Sequence, residues 1–239
     1  MLTLGIIGGM GPEATQLMYK SIIEATDAKC DQEHIDMVIL NHASIPDRTA
    51  AIKNGNTAEI VRLLQKDAKL LESCGAGVLA VPCNTSHAFI EDIRGSVGVT
   101  VLDMIEETAA YIKHRRPGMK KVGILATDGT IGQALYRRAL EKQGLEPYEP
   151  DEAAQKTVMK IIYEQIKAGK RGSIEDFSLV DTHLKKNGCD GAVLACTELS
   201  VFRANHELNS FYVDAMQVLV ERCIETCGGR LKEKKHENI

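Results

Sequence analysis

Two cysteines carry the same local pattern. Cys83 closes the apolar run Val78–Pro82 and opens Asn84-Thr85-Ser86-His87, and Cys196 closes Gly191–Ala195 and opens Thr197-Glu198-Leu199-Ser200. A glycine precedes each by eight positions, Gly75 and Gly188. A sulfur placed where a strand passes into a helix N-terminus lies beside unpaired backbone N–H groups, which favour a thiolate and draw its pKa down from about 8.5. A thiolate facing a thiol across a narrow cleft suits one task in particular. One sulfur takes a proton from one face of a tetrahedral carbon, the other returns a proton to the opposite face, and the stereocentre is inverted. The two groups need similar pKa values and opposite protonation states, so their titrations are coupled. The α-carbon of an amino acid is such a centre.

The other five cysteines lack this setting. Cys30, Cys74 and Cys189 fall in or beside expected loops, and Cys223 and Cys227 lie four apart on an expected helix with no histidine at ligand spacing for zinc. Seven scattered thiols in a chain of 239 residues read as reduced rather than as a disulfide framework. Asp103-Met-Ile-Glu106 and Asp214-Ala-Met-Gln217 read as helix N-caps with a capping-box partner, hence as structural groups.

The elements that must hold the two sulfurs follow from the apolar pattern. Short Val/Ile/Leu runs alternate with helical periodicity, the signature of an α/β fold with doubly wound, mostly parallel sheets. Expected strands are Leu2–Gly8, Asp36–Leu40, Val78–Pro82, Val99–Leu102, Lys121–Ala126, Gly191–Ala195 and Phe211–Val213. Expected helices are Glu13–Ala28, Thr57–Ser73, Met104–His114, Ile131–Gln143, Glu152–Ala168, Ile174–Lys186 and Ala215–Cys227. The tail Leu231–Ile239 is polar and expected to fray.

The pattern occurs twice. Leu4-Gly5-Ile6-Ile7 matches Val122-Gly123-Ile124-Leu125 at a separation of 118 residues, Cys83 matches Cys196 at 113, and Val101-Leu102-Asp103 matches Tyr212-Val213-Asp214 at 111. Two similar halves related by a pseudo-two-fold axis would bring equivalent strand ends, and with them both sulfurs, to a shared cleft. The break falls near Arg115-Arg116-Pro117-Gly118, and the last segment is expected to return to the first half. That gives a first half of residues 1–116 plus 205–239 and a second of 117–204.

Composition removes several classes. With 29 Lys and Arg against 33 Asp and Glu, a net charge of −4, the chain shows no basic patch for nucleic acid. No run approaches 18 apolar residues, so no membrane span is expected, and the apolar start ends in glycines without a basic leader. The expected location is cytoplasmic.

The strings GIIGGMGPEAT (5–15), PDR (46–48), VPCNTSH (81–87), GILATDGT (123–130), YEQIKAG (163–169) and LACTELS (194–200) closely resemble the aspartate racemase branch of the aspartate/glutamate racemase superfamily. The resemblance runs from Leu4 to about Asp214. It implies two similar α/β domains with the active site between them, one cysteine from each as acid and base, no metal or organic cofactor, and commonly a homodimer. It further implies that Asn84, Thr85, Thr127 and Thr197 surround the substrate α-carboxylate and amino group, that Met10 lines the pocket, and that Arg48 and Lys167 hold a side-chain carboxylate. Glutamate racemases resemble Asp-Ser-Gly at the first strand end and Cys-Thr-His at the second cysteine. Here Gly8-Gly9-Met10 and Cys196-Thr197-Glu198 stand instead, which points to aspartate or a broader set of amino acids. Glu198 and Asp47 are candidates to tune the thiols or bind the ammonium group.

Rival readings differ in what they leave unexplained. Gly9-Met10-Gly11-Pro12-Glu13-Ala14 fits a dinucleotide fingerprint, but Asn41 and His42 stand where the ribose-binding acid belongs. A cysteine hydrolase using Cys83 and His87 needs no second matched thiol. A binding protein without catalysis, and relatives of the same fold that act as maleate isomerases, decarboxylases or hydantoin racemases, complete the set.

Overall fold

The computed structural model describes residues 1–233. Two four-stranded, all-parallel sheets form its frame. In the first, β1 (Leu4–Gly8), β2 (Met37–Asn41), β3 (Val78–Ala80) and β4 (Thr100–Val101) lie in the order 2-1-3-4. In the second, β5 (Lys121–Ala126), β6 (Glu146–Tyr148), β7 (Gly191–Ala195) and β8 (Tyr212–Asp214) repeat that order as 6-5-7-8. The repeat seen along the sequence is thus a repeat of topology.

The helices are α1 (Pro12–Ala25), α2 (Arg48–Lys53), α3 (Ala58–Ser73), α4 (Ile90–Arg94), α5 (Met104–Arg115), α6 (Asp128–Gly132), α7 (Leu135–Lys142), α8 (Glu152–Met159), α9 (Ile174–Lys186), α10 (Thr197–Asn205) and α11 (Ala215–Thr226). A 3₁₀ turn spans Thr85–Phe89, and α8 continues as a π-helix over Lys160–Ile166. Asp103 and Asp214 cap α5 and α11 as expected, accepting from Ile105 N and Glu106 N and from Met216 N. The would-be return partners point elsewhere: Glu106 pairs with Lys142 and Gln217 with Glu221.

Alternate side chains along each strand feed different cores, as befits parallel sheets covered on both faces. Leu4, Ile6, Val78 and Ala80 from the first sheet and Val122, Ile124, Val193 and Val213 from the second share one central core with α1, α5, α7 and α11. Ile7, Leu79 and Val81 instead face an outer core with Leu64, Ala68 and Leu71 of α3. Leu125, Ala192 and Leu194 face the second outer core with Phe177, Val180 and Leu184 of α9. Gly5 and Gly123 are matched in this scheme. A Cβ on Gly5 would lie 2.6 Å from Leu79 Cδ2, and one on Gly123 would lie 2.8 Å from Leu184 Cδ2. Both glycines permit close approach of the neighbouring core side chains.

Four expectations need correction. Of the segment 205–239, expected with the first half, strand β8 instead pairs with β7 and belongs to the second sheet; α11 does reach back, packing on α1 and α5, and so do the residues after it, with Leu2 N donating to Cys227 O and Asp27 N to Arg230 O. The expected helix 131–143 is two, α6 and α7, because Ala134 adopts a left-handed φ of 49°. Strand β6 was missed because Pro147 interrupts it, which only an edge strand tolerates. Of the tail expected to fray, Leu231 forms an antiparallel bridge with Thr26 and Lys232 N donates to Ala25 O, while 234–239 lie outside the described residues.

Candidate active site

Both cysteines sit just past the C-terminal ends of β3 and β7, the edge where open α/β sheets bind ligands. All the sequence-derived site residues (Met10, Asp47, Arg48, Cys83, Asn84, Thr85, Thr127, Lys167, Cys196, Thr197 and Glu198) line one narrow crevice between the halves, joined by Thr49 and Tyr163. The crevice continues outward past Met10, Asp47, Arg48, Lys167 and Glu198 into a wider opening bordered by Pro12, Ile45 and Val201. Cys83 is 6% exposed and Cys196 5%, so solvent reaches the sulfurs only marginally.

The thiols have unlike neighbours. Cys196 is the N-cap residue of α10, and its Sγ–H donates to Glu198 Oε2 at 2.9 Å. Burial, then the charge of Glu198, pushes this thiol well above the usual range, against the opposing pull of Lys167. The expectation that a helix start would lower its pKa therefore fails here, because desolvation and a carboxylate in the same first turn outweigh the helix dipole. Lys167 follows the π-helix and meets Glu198 Oε1 at 3.0 Å. Burial disfavours its ammonium, but Glu198 and Cys196 more than compensate and hold it above the ordinary lysine value.

Arg48 is the first residue of α2 rather than part of a loop, and it is buried. Its terminal nitrogens donate to the carbonyls of Ile45, Pro46 and Met10, which binds the β2–α2 connection to the end of β1. Burial would lower its pKa, yet the facing charges of Cys83 and Asp47 raise it. Arg48 Nε and Asn84 Nδ2 are buried and have no partner among the described residues. Unmatched buried donors are costly, and two of them lining one crevice are suited to an anionic acceptor. The hydroxyls of Thr85, Thr127 and Thr130 form a triangle with edges of 2.9, 3.1 and 3.2 Å.

Four contributors escaped the sequence reading. Tyr163 donates to Asp47 Oδ2 at 3.0 Å across the cleft and carries Lys167 Nζ 5.2 Å above its ring. Thr130 completes the hydroxyl triangle, Thr49 lines the wall, and Tyr136 bonds Asn84 at 2.6 Å. Thr130 and Tyr163 lay within the strings GILATDGT and YEQIKAG without being singled out; Thr49 and Tyr136 come from helices without a local signature.

His87 is not available to Cys83 as a general base. Its Nδ1 bonds the Cys83 carbonyl at 2.9 Å and its Nε2 accepts from Met104 N at 3.0 Å, so both ring nitrogens serve backbone groups and the ring is the neutral Nδ1–H tautomer. Burial lowers its pKa further. The hydrolase reading fails on this geometry. Among the described residues no group of three His, Cys, Asp or Glu side chains is placed to hold a metal ion, and no helix is long and apolar enough to cross a membrane.

Duplicated parallel sheets with paired sulfurs at their facing edges define a class. The chain belongs to the Asp/Glu/hydantoin racemase family, whose model matches residues 7–223. Its fold is similar to that of Picrophilus torridus aspartate racemase (TM-score 0.79, 30% identity, 98% of this chain and 97% of that one). An aspartate racemase homologue from Pyrococcus horikoshii superposes with a TM-score of 0.74 at 27% identity, over 95% and 99% of the two chains. The broad specificity amino-acid racemase of Bacillus subtilis is 31% identical over 152 residues, 62% of this chain and 64% of that protein, so the match spans less than two thirds of that relative.

Proposed function

We propose that this protein is a cofactor-independent amino-acid racemase in which Cys83 and Cys196 exchange protons with opposite faces of the substrate α-carbon. The observation that carries the reading is the confinement of both thiols and two unmatched buried donors in one crevice between matched sheet ends. In one direction the Cys83 thiolate takes the α-proton, and the electron pair spreads into the α-carboxylate. The Asn84 amide and the threonine hydroxyls hold that carboxylate. The Cys196 thiol then gives its proton to the other face, leaving the two sulfurs with exchanged protonation states. The reverse reaction begins from that state, and each sulfur serves as base for one enantiomer.

The substrate we favour is a small acidic amino acid, aspartate first. Lys167 and Arg48 Nε are cationic groups at the outer end of the crevice, and a carboxylate two bonds from the α-carbon suits them. The similarity to an aspartate racemase supports this choice. The acidic groups Glu198 and Asp47 are suited to the substrate ammonium.

Single enantiomers incubated without added cofactor and followed by circular dichroism test the proposal. Cys83→Ser and Cys196→Ser should each lower racemisation by about 10²–10⁴-fold, the scale of a lost acid–base group. In deuterated water each variant should still label only one enantiomer. Undiminished racemisation in either variant would sink the two-sulfur mechanism. Turnover of a 5-substituted hydantoin with no turnover of any amino acid would replace the substrate.

A further inference from the structure

Tyr136 is not among the residues that line the crevice, and its hydroxyl bonds one that is, Asn84. It is 1% exposed, on α7 of the second half, and its hydroxyl crosses to the first half to donate to Asn84 Oδ1 at 2.6 Å. Asn84 is itself 2% exposed and directly follows Cys83. An asparagine amide has two orientations about its last torsion. With the tyrosine proton on Oδ1, the amide is held in one of them, and its other end, Nδ2, has no partner among the described residues. The reversed orientation would turn a carbonyl oxygen towards the place of an anion. The left-handed residue Ala134 starts α7, and Tyr136 stands in its first turn. Desolvation, against the opposing effect of Thr108 and with the charges of Asp103, Asp214 and Cys196, keeps the phenol protonated, hence a donor.

We propose that Tyr136 is a positioning residue that locks the Asn84 amide with its N–H groups towards the crevice, where they receive the substrate α-carboxylate beside Cys83. The proposal rests on the racemase reading for the identity of the carboxylate, but its test does not need turnover. The probe is succinate, which has the two acid groups of aspartate and no stereocentre to invert. Calorimetric titration compares the unmodified protein with Tyr136→Phe, Asn84→Leu and the double variant. Tyr136→Phe should weaken succinate binding about tenfold in a protein that still folds, with a fall of a few degrees in melting temperature from the unmatched Asn84 Oδ1, as expected when a buried donor is lost from a charge-holding network. Adding Tyr136→Phe to Asn84→Leu should change nothing further, because the tyrosine acts only through the amide.

A purely structural tyrosine predicts the opposite, a further loss in the double variant, and that outcome overturns the proposal. So does unaltered succinate affinity in Tyr136→Phe, or no succinate binding by the unmodified protein. If Tyr136→Phe alone folds poorly, Asn84→Leu against the double variant carries the comparison, since the double variant removes both partners of the bond. Absence of racemisation by the unmodified protein would defeat the racemase reading alone and leave the binding cycle to decide the role of Tyr136.

Discussion

Cys83 and Cys196 occupy matched positions in matched sheets, but their surroundings differ, and that difference is measurable. Cys196 donates to Glu198, whose charge and acceptor oxygen both favour the protonated thiol. In a Cys83→Ser background, where Cys196 is the remaining sulfur base, deuterium exchange at the substrate α-carbon should therefore keep rising with pH past about 9. Glu198→Gln removes the charge, lowers the Cys196 pKa and should move that rise to lower pH; an unmoved profile would show that Glu198 does not set the thiol. At this scale the sequence was informative wherever chemistry was written locally. Cys83-Asn84-Thr85 and Cys196-Thr197-Glu198 are contiguous, and every residue named from those strings lines the crevice. Tyr136 was invisible because it reaches the site from a helix far along the chain, and an isolated tyrosine on an amphipathic helix looks like any core residue; Tyr163 opens the string YEQIKAG, but nothing local says that it faces Asp47 across the cleft. Arg48 was legible as a cation but not as the clasp that holds three carbonyls.

At the scale of elements, periodicity located the strands of both sheets except β6, and it failed where backbone conformation changed without a change of pattern. The apolar spacing runs unbroken through Gly132-Gln133-Ala134, so nothing in it announces the left-handed residue that splits α6 from α7. The same holds for the passage from α8 into the π-helix, where a changed hydrogen-bond register brings Lys167 beside Glu198. The matched glycines were legible as a repeat, yet only packing explains them. Gly5→Ala and Gly123→Ala should each destabilise the protein by about 1–3 kcal/mol in urea unfolding, the usual cost of overpacking a close contact. Gly118→Ala, whose Cβ would meet nothing within 4 Å, is the control and should be neutral. Equal stability of all three variants would mean that the strands yield to the added methyl group.

For the whole molecule, the buried thiols tie stability to alkaline pH. Burial raises Cys223 well above its ordinary value, and it raises Cys189 and Cys227 to about 11 each. A group whose folded pKa is raised contributes stability fully below its unfolded value, near 9, and loses that contribution as pH rises through the folded value. Melting temperature in reducing buffer should therefore hold up to about pH 8 and decline towards about pH 11. A flat profile over that interval would mean that these thiols ionise equally easily in both states.

The packing of α5 and α11 has a further consequence. α5 leaves the first sheet and packs on α7 of the second half, α11 leaves the second sheet and packs on α1 of the first, and the two lie against each other. Each lobe is thus completed by a limb of its twin, in the manner of two people with crossed arms. Severing the chain near Arg116 would hand each fragment a naked flank, so 1–116 and 117–239 should be insoluble when made separately and soluble when made together.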